Sequence, residues 1–277
     1  MPSELTLWWL ALCAATVFNV GAWSVAAYRL PMCRTQWPAE VHATRRRLLW
    51  LAAIYVLGCG FRSVLPLIEV SRFCLHDLWI SRVVVTRSVA TIAELCFAWQ
   101  WMLLLREAAA TTGSRVASLV ARLIVPLIVL AEVACWIAVL TRNYLPHAIE
   151  NSLWALAAML GVVALLALWP RVGKAERRFL AAAIAGGTAY IAFMVGVDVP
   201  MYLSRWQADV AAGRAAVPLL EGLDGVLQRC VVQHDWLAWR EDAVWLSLYF
   251  TVAVWSSIAL AHLPPLRRMN HPAVATR

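Results

Sequence analysis

"CLHDLWISRVVVTRSVATIAELCFAWQWMLLL", residues Cys74 to Leu105, decides the fold, because it is apolar enough to cross a bilayer and yet carries Arg82, Arg87 and Glu94. A helix needs about 20 predominantly apolar residues to span hydrocarbon, and a charge at its centre costs about 2.5–3.5 kcal/mol even on the lenient insertion scale. Charges in such a segment therefore face a protein interior or a wet cavity. The segment belongs in a bundle with other membrane helices.

Those helices are legible on both sides of it. The chain is 62% hydrophobic and only 14% charged, with a mean hydropathy of +0.70. Apolar runs lie near 5–28, 48–67, 78–105, 117–141, 152–169, 179–203 and 243–263. The expectation is an all-α polytopic membrane protein, seven transmembrane helices forming a single domain over residues 1–277. The opening "MPSELT" lacks the basic region of a signal peptide, so the first run reads as a retained helix.

Cytoplasmic loops retain Lys and Arg during insertion, and here 15 of the 24 basic residues fall on one side, the C-terminal Arg267, Arg268 and Arg277 among them. Acids show the opposite bias. The N-terminus is thus expected outside and the C-terminus inside, in a plasma (inner) membrane of bacterial type. The net charge of +8 reflects this asymmetry and implies no nucleic-acid partner. Many of the 16 Trp residues sit at span ends, such as Trp79, Trp154 and Trp169, as an interfacial belt requires.

Three short matches suggest an internal repeat. "ELTLWWLAL" (Glu4–Leu12) resembles "ENSLWALAA" (Glu150–Ala158), "YVLGCGFRSVLP" (Tyr55–Pro66) resembles "YIAFMVGVDVP" (Tyr190–Pro200), and "HDLWISR" (His76–Arg82) resembles "HDWLAWR" (His234–Arg240). They keep order and orientation. This pattern implies a 3+1+3 parallel internal repeat, helices 1–3 matching helices 5–7 about an axis along the membrane normal. Residues 204–242 form an outer loop, in which the leucine and valine spacing of 218–232 predicts an amphipathic helix on the membrane surface.

The chemistry lies in the polar residues within the spans. Arg87, Thr91, Glu94 and Ala98 follow i, i+4, i+7, i+11 and share one helix face, whereas Arg82 falls nearly opposite and close to the outer end, where it can snorkel. Arg62, Glu132 and Asp198, in spans 2, 4 and 6, are potential partners for Arg87 and Glu94. These five residues form the candidate site for a small polar, ionic or lipid ligand. A second group lies at outer helix ends: His76 with Asp77, His147 with Glu150, and His234 with Asp235. Imidazole beside carboxylate relays protons or ligates a divalent metal, with His76, His147 and His234 the candidate ligands. The alternative is chance, since the remaining three histidines map to the inner side. Of the seven cysteines only Cys74 and Cys230 map outside, where a disulfide persists; two unrelated thiols are the other reading.

Several classes are excluded. Seven helices with an outside N-terminus resemble rhodopsins in architecture, but the only lysine, Lys174, is in an inner loop, so there is no retinal Schiff base. No facing histidines support a bis-His haem, and no Gly-x-Ser-x-Gly elbow or Walker loop occurs. Three functions remain: a transporter or solute-binding protein, a membrane-embedded enzyme using the outer His and acid residues on a lipid or other apolar substrate, and a sensory or assembly subunit.

Overall fold

The computed structural model describes residues 3–35 and 37–265; Arg267, Arg268, Arg277 and His271 lie outside them. Seven helical segments are long and apolar enough to cross a membrane. The first five are α1 (Glu4–Arg29), α2 (Ala39–Val64), α3 (Val83–Thr112), α4 (Arg115–Thr141) and α5 (Tyr144–Leu168). The sixth consists of α6 (Lys174–Phe193) and α7 (Val199–Ala211), joined by a π-helical turn over Met194–Asp198. After the short surface helix α8 (Leu219–Leu227), the seventh consists of α9 (Arg240–Leu248) and α10 (Val254–Leu260), joined by a second π turn over Tyr249–Ala253. The end of the bundle that bears the N-terminus is called the outer end below.

Helix starts follow local chemistry more than hydropathy. Residues 78–82 do not begin α3: Trp79–Ser81 form a 3-10 turn and Arg82 is the extended N-cap residue, so Arg82 lies at the mouth of the span and outside its interior. Helix α5 starts eight residues before the apolar run, because the Asn143 side chain caps the Leu145 amide and Pro146 sits in the first turn, where no backbone donor is missed. The sixth span continues to Ala211. Helix α8 ends at Leu227, short of 232, because the chain beyond it is drawn into a small sheet.

That sheet organises the outer end. Strand β1 (Leu67–Ile68) pairs antiparallel with β2 (Phe73–Cys74), which pairs parallel with β3 (Val231–Val232). Beside the β2–β3 pairing Cys74 and Cys230 form a disulfide, their Cα atoms 5.9 Å apart. Helix α8 lies against the outer end of α4, and a Cβ on Gly222 would overlap the Leu140 carbonyl, so glycine permits that approach. Its leucines at 219, 220, 223 and 227 are exposed.

Helices α1 to α5 pack each on the next, the sixth span leans on α5, and the seventh folds back onto α1 and α2. Among the described residues two large apolar cores result, with two smaller ones at the outer end. Leu12, Leu48, Tyr55, Phe250 and Val254 fill the one between the first, second and seventh spans, while Leu105, Ile124, Ala164 and Leu168 fill the one between α3, α4 and α5. Helix α3 borders both, so its polar face opens into the seam between them.

The two proposed repeat halves pack differently. Helix α2 lies along α3, whereas the sixth span makes few contacts with the seventh among the described residues. The two His-Asp segments share a local pattern of strand, 3-10 turn and helix, but they lie side by side as parallel strands rather than across the bundle.

Candidate functional site

The site is built on Arg87, which the i, i+4, i+7 geometry of α3 sets above Thr91 and Glu94. Its guanidinium donates to Glu94 Oε2 at 2.9 Å, to Glu69 Oε2 at 3.4 Å and to Glu132 Oε2. Arg62, at the end of α2, donates to the second oxygen of Glu69 at 2.9 Å. Thr91 donates to Glu132 Oε2 at 2.6 Å and accepts from the Trp136 indole at 3.1 Å. Arg62, Glu69, Arg87, Glu94 and Glu132 are all buried.

Both π turns serve this seam. Pro200 has no amide to donate back along the helix, and the π turn before it ends on Asp198, whose carboxylate accepts from Asn151 of α5. The second π turn starts at Tyr249, whose hydroxyl donates to Glu94 Oε1 at 2.8 Å, while Asn19 of α1 donates to the Phe250 carbonyl at 2.8 Å. An irregular backbone at membrane depth is tolerated where side chains satisfy its polar groups.

A second layer lies toward the outer end. His147, in the first turn of α5, shares its Nδ1 with Glu150 Oε2 and, at 3.8 Å, with Cys135 Sγ; the same sulfur lies 3.8 Å from Glu69 Oε2. Tyr202 of α7 stacks on the imidazole at 4.9 Å. Above them a cavity of about 330 Å³ opens outward, its walls including Ser71, Tyr144, Arg205, Asp209 and Asp242. Arg205 is bonded to Asp242 and Glu241 and lies over the rings of Tyr144 and Tyr202 at 5.7 and 5.6 Å. Tyr202 thus contacts both Arg205 of the vestibule wall and His147 of the buried layer.

Carboxyl groups outnumber basic groups here, even with the His147 imidazole counted beside the guanidinium groups. Five acids (Glu69, Glu94, Glu132, Glu150 and Asp198) share the seam with two guanidinium groups, Arg62 and Arg87. Glu132 Oε1 is buried without a hydrogen-bond partner. Glu69, on the hairpin outside the spans, is the acid whose ionisation is simplest to place. Burial pushes its pKa up, but the Arg87 and Arg62 guanidinium groups outweigh this and hold it below the ordinary carboxylate value. Two triads have donor atoms close enough to share a cation: Glu69, Cys135 and His147, and Glu94, Glu132 and Glu150.

Of the residues expected from sequence, Arg62, Arg87, Glu94 and Glu132 meet in one network, with Asp198 on its flank. His147 and Glu150 join them. The remaining outer residues do not. His76 is exposed and packs edge-on against Trp9, Asp77 pairs with the exposed Arg229, His234 bonds the Leu75 carbonyl, and Asp235 caps the 3-10 turn at Leu237. His76, His147 and His234 are therefore not gathered into one ligand set: the first and last have surface partners, and only His147 is buried.

Sequence reasoning passed over Glu69, Cys135, Asn151, Tyr202 and Tyr249. Cys135 carried a usable signal, since it follows Glu132 by three residues and so shares its helix face. Glu69 carried none, because an acid beyond the end of a span reads as a loop residue until the hairpin turns it inward. No family model, curated protein or solved structure matches the chain significantly.

Proposed function

We propose that this multi-pass membrane protein takes up a small cation from the outer side and holds it at the intramembrane acidic site, as the binding step of transport. The observation that carries this reading is the surplus of buried carboxylates over guanidinium groups, with one Glu132 oxygen unpartnered. Like charges confined to a low-dielectric seam ionise fully only if a counter-charge joins them. The outward vestibule supports entry from that end: Arg205 and Arg214 pair with Glu241, Asp242 and Asp209 in its wall, which leaves one acid in excess. The two π-interrupted spans support movement around the site, since discontinuous helices are where transporters place their ion ligands.

The alternative of a membrane-embedded enzyme draws on Cys135, His147 and Glu150. Thiol and carboxylate approach the same imidazole nitrogen, so the ring cannot relay a proton between them as a nucleophile–base–acid array requires. Cation handling is the better reading. Its test is uptake of a panel of monovalent and divalent cations, and of protons, into proteoliposomes. Uptake of one of them, reduced at least tenfold by Glu94→Gln or Glu132→Gln at equal protein insertion, is expected. Flux that both variants leave unchanged, or no flux and no cation-dependent stabilisation, would refute the proposal.

A further inference from the structure

We infer that the outer layer of the site is a binding centre for a thiophilic divalent transition ion of the zinc class, with Glu69, Cys135 and His147 as ligands. This deepens the cation reading above and rests on it. The three residues come from the outer hairpin, α4 and α5, and contribute one oxygen, one sulfur and one nitrogen, all within 4.8 Å of one another. Sulfur lies 3.8 Å from the oxygen and 3.8 Å from the nitrogen. In a tetrahedral zinc site, with sulfur at about 2.3 Å and nitrogen or oxygen at about 2.0 Å, adjacent ligand atoms lie roughly 3.5 Å apart, so both edges fit within a few tenths of an ångström.

The setting is pre-arranged. His147 is the only histidine buried among the described residues, and Tyr202 fixes its ring plane. Arg62 holds Glu69 through its other oxygen, Oε1, while Arg87 reaches the same Oε2 that the sulfur approaches. Without an ion the same atoms form hydrogen bonds: the thiol donates to Glu69, and the imidazole shares a proton with Glu150. An ion entering at this point displaces the Cys135 thiol proton and takes the Nδ1 lone pair. Both displaced protons leave to neighbouring carboxylates or water, and the Glu150 oxygen freed from Nδ1 stands beside the ion for a fourth position. A thiolate in the set selects zinc-class ions over magnesium and calcium, which prefer oxygen alone. The Glu94, Glu132 and Glu150 triad, all oxygen, lacks that selectivity, and Glu150 touches both layers.

The experiment uses the full-length protein in detergent, stripped with a chelator and titrated with Co2+ alone. The expected result is one ion per chain, tetrahedral visible absorption, and a near-ultraviolet thiolate-to-cobalt band that Zn2+ abolishes by displacement. Cys135→Ser should remove the band and weaken Co2+ binding at least tenfold, whereas the triple variant Cys13→Ala, Cys59→Ala and Cys96→Ala should keep it. If Cys135→Ser fails to fold, X-ray absorption of the unaltered Zn2+ complex decides by showing whether one sulfur ligates the ion. Co2+ bound without a sulfur ligand, and lost in Glu132→Gln, overturns this centre while leaving the acidic cation site standing. No bound divalent ion overturns the centre, and the flux measurement then judges the broader reading by itself.

Discussion

Glu132 has one carboxylate oxygen engaged by Arg87 and Thr91 and the other receiving no hydrogen bond, so only half of its carboxylate is held by the network. Glutamine keeps its shape and one accepting oxygen, and Arg87 retains Glu69 and Glu94. Glu132→Gln should therefore change stability by less than about 1 kcal/mol. Arg87→Met leaves Glu69, Glu94 and Glu132 facing one another without the cation between them and should cost about 3–5 kcal/mol. Thermal unfolding of both variants in one detergent checks the order; a larger loss from Glu132→Gln would mean that the acids are not in surplus. Glu69 makes a pH prediction. Its pKa is raised by burial but lowered more by Arg87 and Arg62, so the folded value lies below the unfolded one of about 4.3. The resulting stabilisation is present above the unfolded value and is lost as pH falls below it through the folded value. Glu69→Gln should flatten the acid side of the stability profile over that range and leave its slope near neutrality unchanged.

The elements that matter most are the two interrupted helices. A π turn releases a carbonyl from the regular ladder, and in the seventh span Asn19 supplies the donor for Phe250. Asn19→Leu removes that donor and should cost about 1–3 kcal/mol, the penalty for an unsatisfied buried carbonyl. Because the same turn positions Tyr249 on Glu94, the variant should also impair cation uptake, while Tyr249→Phe should impair uptake with a smaller loss of stability. Equal effects on both readouts in the two variants would show that the turn is only a packing feature. At the inner end, Arg45 makes paired hydrogen bonds to Glu107 at 2.7 and 2.8 Å and another to the Leu263 carbonyl, tying α2, α3 and the end of the seventh span. The inner end of the bundle is thus locked by an ion pair, and at the outer end a disulfide ties the β1–β2 hairpin to the chain after α8.

For the whole molecule, the disulfide links positions 156 residues apart and so restricts a long loop of the unfolded chain. Cys230→Ser should cost about 2–4 kcal/mol. The same pair reports on orientation. After mild reduction of intact cells, Cys74 and Cys230 should react with a membrane-impermeant maleimide applied from outside. Labelling confined to inside-out vesicles would reverse the topology and turn the vestibule toward the cytoplasm.

The number of spans was readable in the sequence because hydrocarbon imposes a length and a composition on each helix separately, with no reference to its neighbours. The stripe of Arg87, Thr91 and Glu94 was readable for a related reason: helical periodicity is local, and a charge in lipid requires a partner somewhere. Which partners meet is a different kind of fact. Glu69 enters the bundle only because β1 and β2 turn the chain back after Pro66, and His147 and Glu150 fall within α5 only because a side-chain cap starts that helix before its apolar run. His76 and His234, which sit in segments alike in sequence, end on the surface because the β2–β3 pairing places them at the outer rim with Trp9 and Leu75 as neighbours. Desolvation and ion pairing act through space, so only the tertiary structure decides which of many polar residues share one buried site.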